Sequence, residues 1–318
     1  MIPLSTPVNP LPLRSPLGHS DGILAFGSCF AENISARLDA YRFRICANPT
    51  GILYNPASIQ RVLVRLLEGR KFTEDDLFMH NELWRSFTHH GSFAHPDKQE
   101  ALAQINTAFE TALNQIQSTR VLFLTFGSAF AWYLKEQPGV AVANCHKLPA
   151  ETFERRMIPA HEIARQLGEV LQKLKARNPE LQVIMTVSPV RHLRHYAPEN
   201  SLSKAQLITA SHLLTAELDF AHYFPAYEIM LDELRDYRFY ADDLVHPNEL
   251  AQRIIWERFC ETCLSEKSRQ FIADYTPVLQ MQNHRPIHPE TKSAAKFQQA
   301  LEKKITALQK KYPDIGIL

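Results

Sequence analysis

The chain has almost no net charge: 35 Lys and Arg stand against 34 Asp and Glu in 318 residues, a formal +1 at pH 7. No global field draws it to nucleic acid or to an anionic lipid surface, so any partner has to be recognised locally. It also lacks an apolar run near the ~20 residues that a membrane-spanning helix needs. The opening MIPLSTPVNPLPLRSPLGHS has neither a basic stretch nor an uninterrupted apolar segment, and does not read as a secretory signal. Cysteine is scarce. The five, Cys29, Cys46, Cys145, Cys260 and Cys263, are an odd number and do not resemble a secreted disulfide framework, so a reducing, cytoplasmic setting is expected. Internal repeats and low-complexity tracts are absent. The histidines at positions 80, 89, 90, 95, 192 and 195 show neither H-x-x-x-H spacing nor a close carboxylate set, so neither a metal nor another cofactor is expected and these side chains read as surface residues.

What is present is a hydrophobic content of 45%, enough to bury a large core in one α/β domain. Residues 1–20 hold five of the twenty prolines and read as an extended arm. Gly22 to Phe26 is a short apolar run that leads into GSCFAENISARLDAY, where Ile34, Leu38 and Tyr41 recur at helical spacing: strand, sharp turn, helix. A second unit follows, a strand at Phe43 to Cys46, a Pro/Gly/Asn-rich loop and a helix opened by Pro56. After an irregular polar excursion from Glu68 to His95 and a helix over 98–117, Arg120 to Phe126 is the plainest buried strand, ending in Gly127 and Ser128. Then come a helix over 159–177, a strand at LQVIMTVSPV, a helix over 203–218, an aromatic strand HYFPAYEIM, and helices from Glu249 and over AAKFQQALEKKITALQKKY. Strands separated by helices of this length favour a mostly parallel sheet with helices on both faces, because parallel neighbours need a crossover. The expected division is an arm over 1–20, a main domain over 21–275 and a helical extension over 276–318.

Two junctions carry chemistry. Ser28, in Gly27-Ser28-Cys29-Phe30, stands at the carboxyl end of the first strand and the amino end of the first helix, where free N–H groups and the helix dipole stabilise a developing oxyanion. A serine there is, taken alone, most often a helix cap. Cys29 is expected to turn away and be buried under the helix. The second junction is Asp242-Asp243-Leu244-Val245-His246-Pro247-Asn248, where a carboxylate three residues before a histidine can orient Nδ1 and leave Nε2 free for a serine. An isolated D-x-x-H is more often a loop that merely starts a helix, but in the order Ser, Asp, His the two signals together favour a hydrolase. Asn144-Cys145-His146-Lys147 offers no convincing thiol or metal set, since adjacent residues seldom aim at one centre; His146 or Lys147 reads as binding substrate or lining the pocket, with a plain structural loop as the alternative. Arg191, after the fourth strand, either holds an anionic group or pairs with a carboxylate to brace its loop.

FGSCFAENI resembles the motif for which the GSCFA family is named. NPTGILYNP, TFGSAFAW, NCHK, SPVR and YADDLVHPN extend the resemblance over roughly residues 20–260. It implies kinship with the SGNH/GDSL hydrolases, a flavodoxin-like three-layer α/β/α fold, and a triad of Ser28 as nucleophile, Asp243 as orienting acid and His246 as general base. Gly27 stands where the GDSL signature has aspartate. The oxyanion hole of that superfamily implies a glycine after the second strand, here Gly51, and an asparagine after the third, where this chain has Gly127-Ser128-Ala129. Ser128 and Asn144 are the alternatives for the missing donor, with Ser128 preferred. The implied activity is a serine-dependent ester hydrolase or acyl transferase acting on a small O-acyl ester, such as an acetylated carbohydrate. The partner is then a small-molecule or glycan ester, with no nucleic acid and no membrane. The alternative is a carbohydrate- or metabolite-binding protein with weak hydrolytic machinery, and a third reading gives the last helix a scaffold role.

Overall fold

A computed structural model of the chain describes residues 5–137, 139–193, 196–284 and 287–316. In chain order the elements are β1 (Gly22–Gly27), α1 (Cys29–Ala40), β2 (Arg44–Ala47), α2 (Pro56–Glu68), a hairpin of β3 (Phe78–His80) and β4 (Leu83–Arg85), α3 (Lys98–Ile116) and β5 (Thr119–Phe126). A three-stranded insertion of β6 (Phe130–Leu134), β7 (Ala141–Val142) and β8 (Phe153–Met157) precedes α4 (Ala160–Arg177), β9 (Gln182–Val187), α5 (Ala197–Glu217), β10 (Ala221–Tyr223) and a short α6 (Ala226–Glu228). Then come α7 (Glu249–Cys263), α8 (Glu266–Asn283) and α9 (Lys292–Lys311).

The central sheet has the order β10-β9-β5-β1-β2, and every pairing in it is parallel. Renumbered within the sheet this is the flavodoxin-like order, in which the winding reverses between the first and third strands, here β1 and β5. Successive strand residues face opposite layers. Leu24, Phe26, Leu122 and Leu124 therefore pack with α2, α3, α4 and α5, while Ile23, Ala25, Val121 and Phe123 pack with α1 and α7. Each such large side chain taken fully out of water contributes ~1.5–3 kcal/mol. The result is the three-layer α/β/α arrangement expected from the alternation of strands and helices.

Two elements differ from the sequence expectation. HYFPAYEIM is not one strand. Phe224 still donates its N–H to Met185 O at 2.8 Å, but Pro225 has no N–H to extend the ladder, and from Ala226 the chain turns helical. The helix expected from Ser203 begins six residues earlier, at Ala197, with Pro198 in its first turn, where a missing N–H costs nothing.

Residues 5–20 of the arm hold little regular structure and are fastened to the end of α7: Leu13 and Leu17 donate to Thr262 O and Cys263 O at 3.0 and 2.8 Å. Residues 1–4 lie outside the described chain. α8 runs unbroken through residue 276, and with α9 it forms a satellite core of Phe271, Tyr275, Val278, Leu301, Leu308 and Tyr312, against which Tyr41 packs.

His19 joins this satellite to the sheet. Its ring stacks on Phe43 at 3.9 Å and meets Phe271 edge-on at 4.6 Å. Nε2 donates to Tyr41 O at 3.1 Å and Nδ1 accepts from Ser268 Oγ at 3.0 Å, so both nitrogens of the neutral ring are satisfied. Burial holds the imidazole down at about 4, from an ordinary 6.5, against the opposing effect of the bond to Tyr41. As pH falls through that window the unfolded chain takes up a proton that the fold refuses, so stability present above it is lost, at up to ~1.4 kcal/mol per pH unit. His89, held at about 3, and His192, at about 4, act in the same direction. Urea midpoints should decline from pH 7 to pH 5, less steeply in His19→Gln; an identical slope in the variant would show that His19 does not contribute.

Candidate active site

The site begins where β1 passes into α1. Gly27 has φ +147°, and a Cβ there would lie 2.3 Å from Thr125 O and 2.7 Å from Thr125 Cβ, so any side chain would drive β1 and β5 apart. Its N–H donates to Asn48 Oδ1 at 2.8 Å and its carbonyl accepts from Leu53 N at 3.0 Å. Ser28 is extended and caps α1, its Oγ accepting Phe30 N–H at 3.3 Å. Helix geometry leaves the N–H groups of Ser28 and Cys29 without an intrahelical acceptor, at the positive end of the dipole. Ser28 is 1% exposed, whereas Cys29 is only half-buried, contrary to the expectation for that thiol. Burial still raises the thiol above its usual range.

Across the winding reversal, β5 ends at Gly127. The N–H groups of Gly127 and Ser128 both donate to Tyr54 O, at 2.8 and 2.9 Å. Ser128 Oγ accepts Phe130 N–H at 3.0 Å and lies 3.4 Å from Ser203 Oγ. The carbonyl of Gly127 accepts from Lys204 Nζ at 2.9 Å, and the same ammonium donates to Ser188 O at 2.7 Å. This fully buried lysine on α5 ties the carboxyl ends of β5 and β9 together, and burial pulls it down to about 7. The sequence reading passed over it. Its signal was position: Lys204 shares the buried stripe of α5 with Leu207, Ser211 and Leu214, and a lysine there needs partners.

The D-x-x-H loop forms as its spacing suggested. His246 Nδ1 lies 2.6 Å from Asp243 Oδ2, and Asp243 Oδ1 accepts the N–H groups of Val245 and His246, each at 2.9 Å. The two backbone bonds, with the imidazole bond behind them, hold the carboxyl at about 2. Leu244 takes φ +57° to make the turn. Ala241 N donates to His246 O at 2.8 Å, and Asn248 caps α7. The His246 side chain is 51% exposed, and its Nε2 has no hydrogen-bond partner among the described residues.

Between the two junctions stands His192, which the sequence reading assigned to the surface. Its Nε2 is buried without a partner and lies 3.3 Å from where a Cβ on Gly127 would be; its ring meets Tyr54 edge-on at 5.3 Å. Burial first, then the charges of Lys204 and His246, lower it to about 4. His89 is also internal, 0% exposed with Nδ1 3.0 Å from Ser86 Oγ, because the Glu68–His95 excursion folds back over the sheet rather than lying in solvent. His195 lies outside the described residues.

Beside His192 opens a cleft of ≈ 730 Å³ whose walls include Tyr54, Ser128, Trp132, Asn144 and Tyr196. Ser128 and Asn144, the two alternative oxyanion donors, thus share one cleft. Asn144 Oδ1 accepts His146 N–H at 2.7 Å, and its Nδ2 makes no hydrogen bond among the described residues. Gly51 and His146 do not line the cleft. Gly51, at φ +76°, donates its N–H to Asn48 O at 2.7 Å and makes room for His90, whose Cβ would be 2.3 Å from a Cβ on Gly51. His146 is buried with Nε2 2.9 Å from Ser86 O. No hydrogen bond joins Ser28 to His246. Asn48, also unanticipated, holds Gly27 through Oδ1 while its buried Nδ2 has no partner. No group of metal-ligating side chains occurs among the described residues.

The Lys204 clamp is testable. Lys204→Met leaves two buried carbonyls unpaired, and a loss of about 2 kcal/mol in urea unfolding is expected. Stability equal to that of the parent chain would show that the clamp holds nothing.

No curated protein matches the chain. Solved structures similar to it include a carbohydrate esterase family 3 protein from Talaromyces cellulolyticus, with TM-score 0.37 and 10% identity over 80% of this chain and 99% of that one. Another is an acetyl xylan esterase from the rumen bacterium Butyrivibrio proteoclasticus, with TM-score 0.36 and 9% identity over 77% of this chain and 64% of that one. The sequence model of the GSCFA family matches residues 22–259, and that of the GSCFA domain protein C-terminal domain matches residues 276–317; the chain belongs to the GSCFA family.

Proposed function

We propose that the chain is a serine-dependent ester hydrolase or acyl transferase with Ser28, Asp243 and His246 as its triad. The observation that carries the reading is the Asp243–His246 pair. An ionised carboxylate 2.6 Å from Nδ1 fixes the tautomer that leaves Nε2 as the base, on a loop at the carboxyl edge of the sheet. Ser28, at a helix start beside the winding reversal, is the nucleophile that such a base serves.

In the reaction, His246 Nε2 takes the Ser28 proton as Oγ attacks the acyl carbonyl, and Asp243 stabilises the imidazolium that results. The oxyanion faces the N–H groups of Ser28 and Cys29, with the Ser128 hydroxyl or Asn144 Nδ2 as the further donor. The imidazolium then protonates the leaving alcohol, and water or an acceptor hydroxyl releases the acyl group. Catalytic hydrogen bonds often tighten only when substrate binds, which fits a serine that caps its own helix in the resting protein. A small O-acyl ester, such as an acetyl group on a sugar, suits a cleft whose walls combine aromatic side chains such as Tyr54 and Trp132 with polar ones such as Asn144, Arg155 and Glu199.

A second reading, a carbohydrate- or metabolite-binding protein, is favoured by one observation: the N–H groups of Gly51, Gly127 and Ser128 are all taken by carbonyls.

A fluorophosphonate probe with mass mapping separates the two. Labelling is expected at Ser28 and lost in Ser28→Ala, and unlabelled but folded parent protein would favour the binding reading. On 4-nitrophenyl acetate, Ser28→Ala should lower kcat by ~10⁴-fold or more and Asp243→Asn by ~10²–10⁴-fold at similar KM. Of Ser128→Ala and Asn144→Ala, the one that removes the oxyanion donor should cost ~10²–10³-fold in kcat. Equal, small losses in both would leave the backbone donors alone in that role.

A further inference from the structure

The insertion β6–β8 has two faces. Trp132 on β6 stands directly opposite Arg155 on β8, and Phe130 opposite Met157, so strand alternation puts Phe130, Trp132 and Arg155 on one face and Ala131 and Tyr133 on the other. Ala131 and Tyr133 are buried in the main core. Phe130, Trp132 and Arg155 line the cleft of ≈ 730 Å³, as do Tyr196 and Glu199 at the start of α5. An ion pair joins the insertion to that helix: Arg155 Nη2 lies 2.7 Å from Glu199 Oε2. The same guanidinium sits over the Phe130 ring, 3.6 Å from its centroid. Arg191, the arginine singled out from the sequence, does not line this cleft.

Acyl transfer at Ser28 uses none of these groups, and an acetyl group fills a small part of ≈ 730 Å³. That volume lies in the ~300–1,000 Å³ range of sites that enclose a whole small-molecule ligand. Trp132 packs on the small cluster of Leu134, Val142 and Phe153, meets Phe153 edge-on at 6.3 Å, and is half-buried. An indole fixed in this way offers apolar area at little cost in side-chain entropy. The side chains of Arg155 and Glu199 keep 22% and 38% of their surface exposed, so the pair can still be reached by a ligand. The guanidinium supplies donors only and the carboxylate acceptors only. A hydroxyl is both, so neighbouring hydroxyls of a sugar ring satisfy the two members together while the C–H face of the ring lies on the indole. A charged group gains less from this pair, because each member already has its counter-charge. The exposed Lys147 also lines the cleft and adds a further donor.

We infer that the cleft is a subsite for a neutral oligosaccharide, with Trp132 as its stacking platform and the Arg155–Glu199 pair as its hydroxyl clamp. That the sugar is the alcohol part of an ester rests on the serine-esterase reading; that the cleft holds a sugar does not. Ser128, which also lines the cleft, follows β5 at the strand end that neighbours the end of β1, so a sugar held there lies beside the segment that carries Ser28.

Calorimetry of the Ser28→Ala protein with xylotriose, cellotriose and maltotriose tests this, with trigalacturonate and adenosine as comparators. Binding of at least one neutral trisaccharide is expected, weakened about tenfold or more by Trp132→Ala and by Arg155→Met, the loss of one stacking contact or one charge-assisted hydrogen bond. Trp132→Phe and Arg155→Lys should each restore part of it, and they decide the matter where the larger changes prevent folding. Binding of none of the three, or tighter binding of trigalacturonate or adenosine than of any of them, overturns the inference. So does an Arg155→Met protein with a lower urea midpoint and unaltered affinity, which would make the ion pair a brace and nothing more. The two claims fail separately. Sugar binding that depends on Trp132 and Arg155 supports the subsite even where fluorophosphonate fails to label Ser28, and labelling of Ser28 without sugar binding overturns the subsite and leaves the esterase reading standing.

Discussion

At Gly27 and Thr125 the two strands β1 and β5 approach so closely that a methyl group on Gly27 would sit 2.3 Å from Thr125 O. Their register, Gly27 against Thr125, brings the residues after both strands to one point on the sheet edge. That point is the winding reversal, where the crossovers leave toward opposite faces and their helices cannot close over the strand ends. The serine that follows β1 and the Gly127–Ser128 turn that follows β5 stand at neighbouring strand ends because of this contact. The aspartate of the GDSL signature has no room at this position, and the backbone amide of Gly27 is held by Asn48 from the turn after β2.

The remainder of the edge is built on cations and carbonyls. Lys204 binds the carbonyls of Gly127 and Ser188, so β5 and β9 end in a fixed relation to each other. Its buried charge acts on His192, which Lys204 and His246 both oppose as a cation. His192 is therefore a neutral ring beside Gly127 in the wall of the cleft, while Asp243 holds His246 through Nδ1.

How far the sequence could be read depended on the range of the interactions involved. Gly22 to Phe26 and Arg120 to Phe126 were legible as strands because burial on both faces shows as an unbroken apolar run. Asp243 and His246 were legible because three residues of chain fix their separation. Lys204 was not, since its partners lie 77 and 16 residues away and nothing local announces them. His192 and His89 were misassigned for the same reason: a histidine's exposure is decided by what folds over it. His222 to Met230 looked like a strand by composition, but one proline ended the ladder.

By itself the sequence determined the order of the elements, the layers they form, and the residues that stand at the strand ends, because periodicity, turn residues and short motifs act over one or two turns of chain. Only the tertiary structure decided which strand ends meet, which histidines are buried, and that Lys204 binds two carbonyls. Those outcomes depend on contacts between segments far apart in the chain, whose geometry no local pattern encodes.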